Sequence, residues 1–267
     1  MISLVFPAYN PGPKLDRTWR ATARFVRGQP DPWQVLFVLD GCTDGTADRL
    51  AELAAEDPMP EVRVISYPKN RGKGHAVRTG LLAARGRVRV FTDVDLAYDF
   101  DDIARVADEV AGGAPAAVAS RTHPDSVLLI PDRLLGYAFR RKLQSVAFTA
   151  AARAVLGLRH QDTQAGLKAF AAGVVEHLVP RLACDGFGFD CELLLACRRA
   201  GVPVAELPVR VRYEEGSTTS TATGFRMLRE LWAVRRRWKR MTLAAYPDVR
   251  SALLAQPTRV IRWSTVA

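Results

Sequence analysis

Across its first 111 residues the chain alternates extended apolar runs with helical segments, and this alternation limits the folds open to it. "ISLVFPAY" (2–9) is a continuous apolar run closed by turn chemistry, as a strand covered on both faces requires. "WQVLFVLD" (33–40), "VRVISYP" (62–68) and "VRVFTDVD" (88–95) read as further strands. Residues 14–28, 46–57, 73–85 and 100–111 read as helices, with Thr46 or Asp44 placed to cap the second. Strands separated by helices predict a doubly wound, mostly parallel sheet, because parallel neighbours need a crossover. The second half is less regular. It predicts a strand at 116–121, a long mixed apolar and basic helix at 133–156, and a short extended piece followed by a helix from "TQAGLKAF" onward. A helix at 190–200, a strand pair or one bent strand at 202–214, and a basic helix at 224–245 complete it.

Sheets of this kind bind ligands beyond the carboxyl ends of their strands. Three predicted strand ends carry polar residues: Tyr9-Asn10, Asp40 and the pair Asp93/Asp95. On one rim they make a site. In an extended strand, residues i and i+2 point the same way, so Asp93 and Asp95 are placed to share a hard cation such as Mg²⁺ or Mn²⁺. Strand-end acids also suit a following helix N-terminus. That second role is the expectation for Asp99, Asp101 and Asp102. "NRGKGHAVRTG" (70–80) opens a helix with two glycines and two cations, a place for an anion or simply a tight loop. It is neither a P-loop nor a dinucleotide fingerprint.

The 267 residues, 25% charged and 48% hydrophobic, suit one large α/β domain or two small ones. A net charge of +10 favours acidic partners: nucleotides, phosphates or anionic lipid. Cys42, Cys184, Cys191 and Cys197 form no CxxC pair, so free thiols in a reducing compartment are expected. "MISLVFPAYN" lacks the charged start of a signal peptide, and no uncharged apolar run approaches a membrane span. A cytoplasmic protein, possible at a membrane surface, is the expectation. Residues 226–240 hold seven Arg/Lys and one Glu. Met227, Leu231, Val234, Trp238, Met241 and Ala245 make one apolar stripe there. Such a helix either lies in a lipid interface or packs on its own domain. No RNA-binding motif accompanies the charge, so no nucleic-acid partner is expected.

The ordered set "FPAYN", "VLDGCTDGT", "NRGKGHAVRTG", "FTDVDLAYDFDDI", "SRTHPDS", "DTQAGLKAF" and "GFGFDCELL" resembles the inverting family 2 glycosyltransferases of GT-A fold. Within them it is similar to the dolichyl-phosphate glucosyltransferase and dolichyl-phosphate mannose synthase branch. The resemblance implies a Rossmann-like, mostly parallel sheet flanked by helices over about 1–220. Its nucleotide-binding half would be about 1–120 and its acceptor half about 121–220, with 221–267 a basic helical extension. It implies a nucleotide-sugar donor such as a UDP- or GDP-hexose, and as acceptor a polyprenyl phosphate or, alternatively, the hydroxyl of a soluble small molecule. Pro7, Ala8 and Tyr9 would line the base and Asp40 would accept from it, with Arg71 and Lys73 near base or diphosphate. Asp93 and Asp95 would be the metal and diphosphate motif. Arg121 would lie near a phosphate, with Arg140, Arg141 and Lys168 as further cations. Asp190 and Glu192 stand where hydroxyl-acceptor members keep a general base; Asp190 may equally orient Lys168 or an arginine. Pro11, Leu39, Ala97 and Thr218 depart from the pattern, and Ala97 fits the glucosyl branch better.

Overall fold

The computed structural model describes residues 1–212 and 221–241. The anticipated alternation is present through the first half. Strand β1 (Ile2–Ala8) leads to helix α1 (Lys14–Arg27), β2 (Trp33–Asp40) to α2 (Thr46–Glu56), β3 (Val62–Tyr67) to α3 (Lys73–Ala83), and β4 (Val88–Phe91) to α4 (Phe100–Ala111). Gly45, not Thr46, is the N-cap residue of α2, and Asp44 Oδ1 accepts the Thr46 N–H at 3.2 Å.

The second half supplies β5 (Ala116–Ala119), β6 (Val127–Leu129), α5 (Leu135–Leu156), β7 (Lys168–Ala171), α6 (Ala172–Leu178) and α7 (Phe189–Ala200). β8 (Ala205–Leu207), β9 (Arg210–Arg212) and α8 (Thr221–Lys239) follow. Over its described part, 202–212, the expected strand pair is two strands in different sheets, parted at Pro208, which has no N–H for a ladder.

The main sheet has seven strands in the order β3-β2-β1-β4-β7-β5-β8. All neighbours are parallel except β7, which runs antiparallel to β4 and β5. β6 and β9 form a separate parallel pair. The order reverses at β1: β2 and β3 lie to one side, β4 to the other. At such a switch point the connections leave in opposite directions and open a crevice.

β1 and β2 are buried almost throughout, as their continuous apolar runs require. Phe6, Phe37 and Trp19 stack between sheet and α1, with centroids 5.2 and 5.7 Å apart. α8 joins this core. Met227, Leu231, Val234 and Trp238 are all buried in the same apolar cluster, with α8 packed on α5 and α7. Of the two readings of this apolar stripe, packing on its own domain is the one these four residues follow. Ala245 and the segment 215–218 lie outside the described residues. No helix among those described is long and apolar enough to cross a membrane.

Candidate active site

The crevice at the switch point opens into a cleft of about 2010 Å³. Pro7, Ala8, Tyr9, Asp40, Arg71, Lys73, Asp93, Asp95, Arg121 and Asp190 all line it. The expected convergence of strand ends on one rim is thus met. Tyr9, at the end of β1, leaves 56% of its surface exposed. Asn10 follows with φ +45°, and its side chain zips the rim to the next loop: Oδ1 accepts the Thr43 N–H at 2.8 Å.

Asp40 is buried at the end of β2. Its Oδ1 accepts the N–H of Arg71 at 2.7 Å and Oδ2 that of Gly72 at 2.9 Å. Both oxygens thus already fasten the "NRGKG" loop, so Asp40 shapes this wall of the cleft whatever else it touches. Gly72 has φ +107°, and a Cβ there would stand 2.4 Å from the Asp185 carbonyl oxygen. Only glycine suits that conformation and that approach.

Asp93 and Asp95 depart from the expected geometry. β4 ends at Phe91, so the two acids lie in the turn beyond it and not in an extended strand. Leu96 has φ +53°, Asp95 Oδ1 accepts the Ala97 N–H at 3.2 Å, and the Thr18 hydroxyl donates to the Val94 carbonyl at 2.5 Å. These contacts hold the turn so that both acids still face the cleft. Burial raises the Asp95 pKa, and the neighbouring Asp93 charge raises it further. Such a like-charged pair favours a cation between or beside it. Lys73 meets part of that demand, its Nζ 2.6 Å from Asp93 Oδ1. Burial works against the Lys73 ammonium, but Asp93 and then Asp190 outweigh it and hold its pKa above the ordinary value.

The two hard carboxylates fit Mg²⁺ or Mn²⁺. Among the described residues no third His, Cys, Asp or Glu joins them, so an ion held there would draw its remaining ligands from phosphate oxygens and water.

Farther along the lining, Arg121 is held by Asp162. Nε donates to Oδ2 at 2.6 Å, a terminal nitrogen to Oδ1 at 2.9 Å, and the backbone N–H to Oδ2 at 3.1 Å. Burial alone would raise the Asp162 pKa; Arg121 outweighs it and holds the carboxyl at about 2. Arg121 thus reaches the cleft as a rigidly aimed but largely neutralised cation. The side chains of Arg140 and Arg141 lie outside the described residues.

Two expected site residues are fully buried; Glu192 belongs to the inner wall of the cleft and Lys168 does not. Lys168 is fully buried on β7 and does not line the cleft, so it meets no phosphate there. Its Nζ donates to Asp190 Oδ1 at 2.5 Å and to the Ala165 carbonyl at 2.5 Å. Glu192 is also fully buried. Oε2 accepts the N–H groups of Ala183 and Cys184, while Oε1 accepts from Arg237 at 2.8 Å and the Trp238 indole at 2.9 Å. With four donors it bolts α7 to the preceding loop and to α8 at the inner wall of the cleft. Its neighbour Asp190 reaches the cleft.

The fan of Asp99, Asp101 and Asp102 does begin a helix. Asp99 is the N-cap residue of α4, and buried Asp102 binds Arg105 and accepts the Arg210 N–H at 2.7 Å. Cys191 packs beside the site with its thiol pushed up to about 12 by burial.

Sequence reading passed over three residues that shape the site. Asp162 and Gly166 sit in "DTQAGLKAF", of which only the lysine was singled out. Glu230 on α8 accepts the Gly188 N–H at 2.7 Å, holding the loop before α7. It lies 42 residues from that loop, so nothing local in the sequence signals the contact.

The family model described as Glycosyl transferase family 2 matches residues 3–161. Dolichyl-phosphate beta-glucosyltransferase of Dictyostelium discoideum is 25% identical over 247 residues, covering 89% of this chain and 74% of that protein. Glycosyltransferase AglD of Haloferax volcanii is 32% identical over 211 residues, 78% of this chain but 32% of its own length. Among solved structures, glucosyl-3-phosphoglycerate synthase from Mycobacterium tuberculosis in complex with UDP superposes with a TM-score of 0.64 at 22% identity. That match covers 88% of this chain and 80% of the other. The synthase has also been solved with Mn²⁺, UDP and glucosyl-3-phosphoglycerate. The switch-point cleft, the acid pair and the family match together establish that this chain belongs to glycosyl transferase family 2 and is a hexosyltransferase of GT-A fold.

Proposed function

We propose that this enzyme moves a hexose from a nucleoside diphosphate sugar to a polyprenyl phosphate, with inversion at the anomeric carbon. The observation that carries this reading is the two-part character of the cleft. Its β1/β4 part holds Tyr9, Asp40, Lys73 and the acid pair, while α5 and α8 line it with apolar Val146, Phe148, Met227 and Leu228 among cations such as Lys142 and Arg226. A charged donor suits the first part and an apolar chain the second. The names of relatives such as the Dictyostelium discoideum dolichyl-phosphate beta-glucosyltransferase support the same acceptor class.

In this mechanism Tyr9 and the 70–73 loop seat the nucleotide, and Lys73 and Arg71 face its diphosphate. When bound at Asp93 and Asp95, Mg²⁺ or Mn²⁺ would offset the charge that gathers on the leaving diphosphate. An acceptor oxygen attacks the anomeric carbon from the opposite face as the bond to the diphosphate oxygen breaks. A phosphate acceptor is already anionic and needs no base. Arg121, aimed by Asp162, orients it.

The outer face of α5 supports delivery from a lipid surface. Leu135, Phe139, Leu143 and Val146 recur every three or four residues and are 54%, 64%, 55% and 53% exposed. Leu228 and Trp232 are exposed on α8, which packs against α5. With a net charge of +10, this face suits an anionic membrane. A second reading, transfer to a soluble hydroxyl, is favoured by the single fact that Asp190 lines the cleft as a candidate base.

The test incubates the protein and Mn²⁺ with UDP- and GDP-sugars, with and without a short polyprenyl phosphate, and follows nucleoside diphosphate release. Release that depends on the polyprenyl phosphate is expected. Release only with soluble alcohols would transfer the assignment to the second reading, and no release with any donor would sink both.

A further inference from the structure

The buried ion pair between Lys168 and Asp190 has a direction. Lys168 projects from β7, the one antiparallel strand of the main sheet, wedged between β4 and β5. Its Nζ lies 5.5 Å from the Phe91 ring centroid and has two acceptors, the Ala165 carbonyl and Asp190 Oδ1. An ammonium enclosed in this way is costly unless its partners are fixed. Asp190 stands in the first turn of α7 with only 6% of its side chain exposed, and that remnant faces the cleft. Among the described residues no donor other than Lys168 reaches its carboxylate. One oxygen is therefore pinned from behind and the other is left for the cleft.

We propose that Lys168 is a positioning residue: it never touches substrate, and it fixes the carboxylate of Asp190 so that Oδ2 accepts a hydrogen bond from a hydroxyl group at the reacting end of the cleft. With a phosphate acceptor that hydroxyl belongs to the sugar in transfer; with a soluble acceptor it is the attacking group. Lys168 thus acts from the opposite side of the carboxylate to the substrate, which explains a lysine in a place no phosphate reaches. The role rests on the sugar-transfer reading above.

The test is a double-mutant cycle on nucleoside diphosphate release with Asp190→Asn, Lys168→Met and the double variant. Asp190→Asn is expected to lower kcat at least about tenfold while donor KM changes less than about threefold. Lys168→Met should do the same. The double variant should be no slower than Asp190→Asn alone, because the lysine then has nothing to aim. A double variant slower by the product of the two losses overturns the proposal, as does a Lys168→Met that raises donor KM with kcat intact. Lys168→Met leaves a buried carboxylate alone and may not fold, but the double variant removes both charges, and its comparison with Asp190→Asn decides the matter by itself. One readout needs no turnover. The carboxyl ¹³C resonance of Asp190, assigned by its loss in Asp190→Asn, should move in Lys168→Met without substrate. An unmoved resonance in folded Lys168→Met overturns the positioning. Wild-type protein that turns over no donor overturns the sugar-transfer reading instead.

Discussion

A Cβ placed on Gly166 would stand 2.2 Å from Oδ2 of Asp93, so one acid of the candidate metal pair rests directly against a glycine on another element. The Gly166 N–H donates to the Tyr98 hydroxyl at 3.2 Å, which fixes the backbone that Asp93 rests on. Gly166→Ala must therefore displace the carboxylate or the loop. We expect it to weaken Mn²⁺-dependent UDP binding at least about tenfold, with thermal stability within a few degrees of wild type. Calorimetric titration of UDP with and without Mn²⁺ reads this; unchanged affinity would show that Asp93 does not serve the metal.

Asp40 leads to a different outcome. Its two hydrogen bonds to the Arg71 and Gly72 N–H groups are made by a buried carboxylate, and such bonds are worth about 1.5–3 kcal/mol each. Asp40→Ala should lower unfolding stability by about 2–4 kcal/mol in a urea titration. If the loop that Asp40 fastens seats the nucleotide as proposed, the substitution should raise donor KM more than it lowers kcat. A stability change under about 0.5 kcal/mol would mean the loop holds itself.

Most of the fold was legible because its signal is local. The runs 33–40 and 100–111 coincide with β2 and α4, since continuous apolarity and helical periodicity are set by near neighbours. The rim of the site was legible for the same reason: Asp40 ends its strand, and Tyr9 and Asp93 lie just beyond theirs. What escaped depends on contacts distant in sequence. That Glu192 is tied down by Arg237 and Trp238 depends on residues 45 and 46 positions away. The stripe on α8 has the periodicity of a lipid-facing helix and of a core helix alike, and only packing against α5 and α7 distinguishes them. β7 reads as an ordinary short strand; its antiparallel insertion, which buries Lys168, has no sequence signature.

The Arg121–Asp162 pair gives a pH dependence. The folded pKa of Asp162, about 2, lies below the ordinary 3.8. Its contribution is thus present above about pH 4 and is lost as pH falls from there through about 2. The gap corresponds to about 2 kcal/mol. Asp162→Asn should therefore flatten the fall in unfolding free energy between about pH 4 and pH 2 while costing stability at pH 7. Equal slopes for variant and wild type would locate the acid sensitivity elsewhere.

The last prediction separates the two helices that carry apolar stripes. On α8, Leu231 and Trp238 are 0% and 1% exposed, so a charge at either position should unfold the C-terminal half. On α5, Phe139 and Leu143 are 64% and 55% exposed and lie outside the cleft lining, so charges there cost the fold little. If this face meets lipid, the double variant Phe139→Glu/Leu143→Glu loses apolar contact with the bilayer and adds repulsion from anionic headgroups. Its partition onto anionic vesicles in a flotation assay should fall at least about tenfold. Turnover of a short, detergent-dispersed polyprenyl phosphate should stay near wild type, while turnover of a long one embedded in vesicles should fall with partition. Partition that survives both substitutions would remove α5 from the membrane surface. Partition lost with both turnovers unchanged would mean that the lipid surface does not deliver the acceptor.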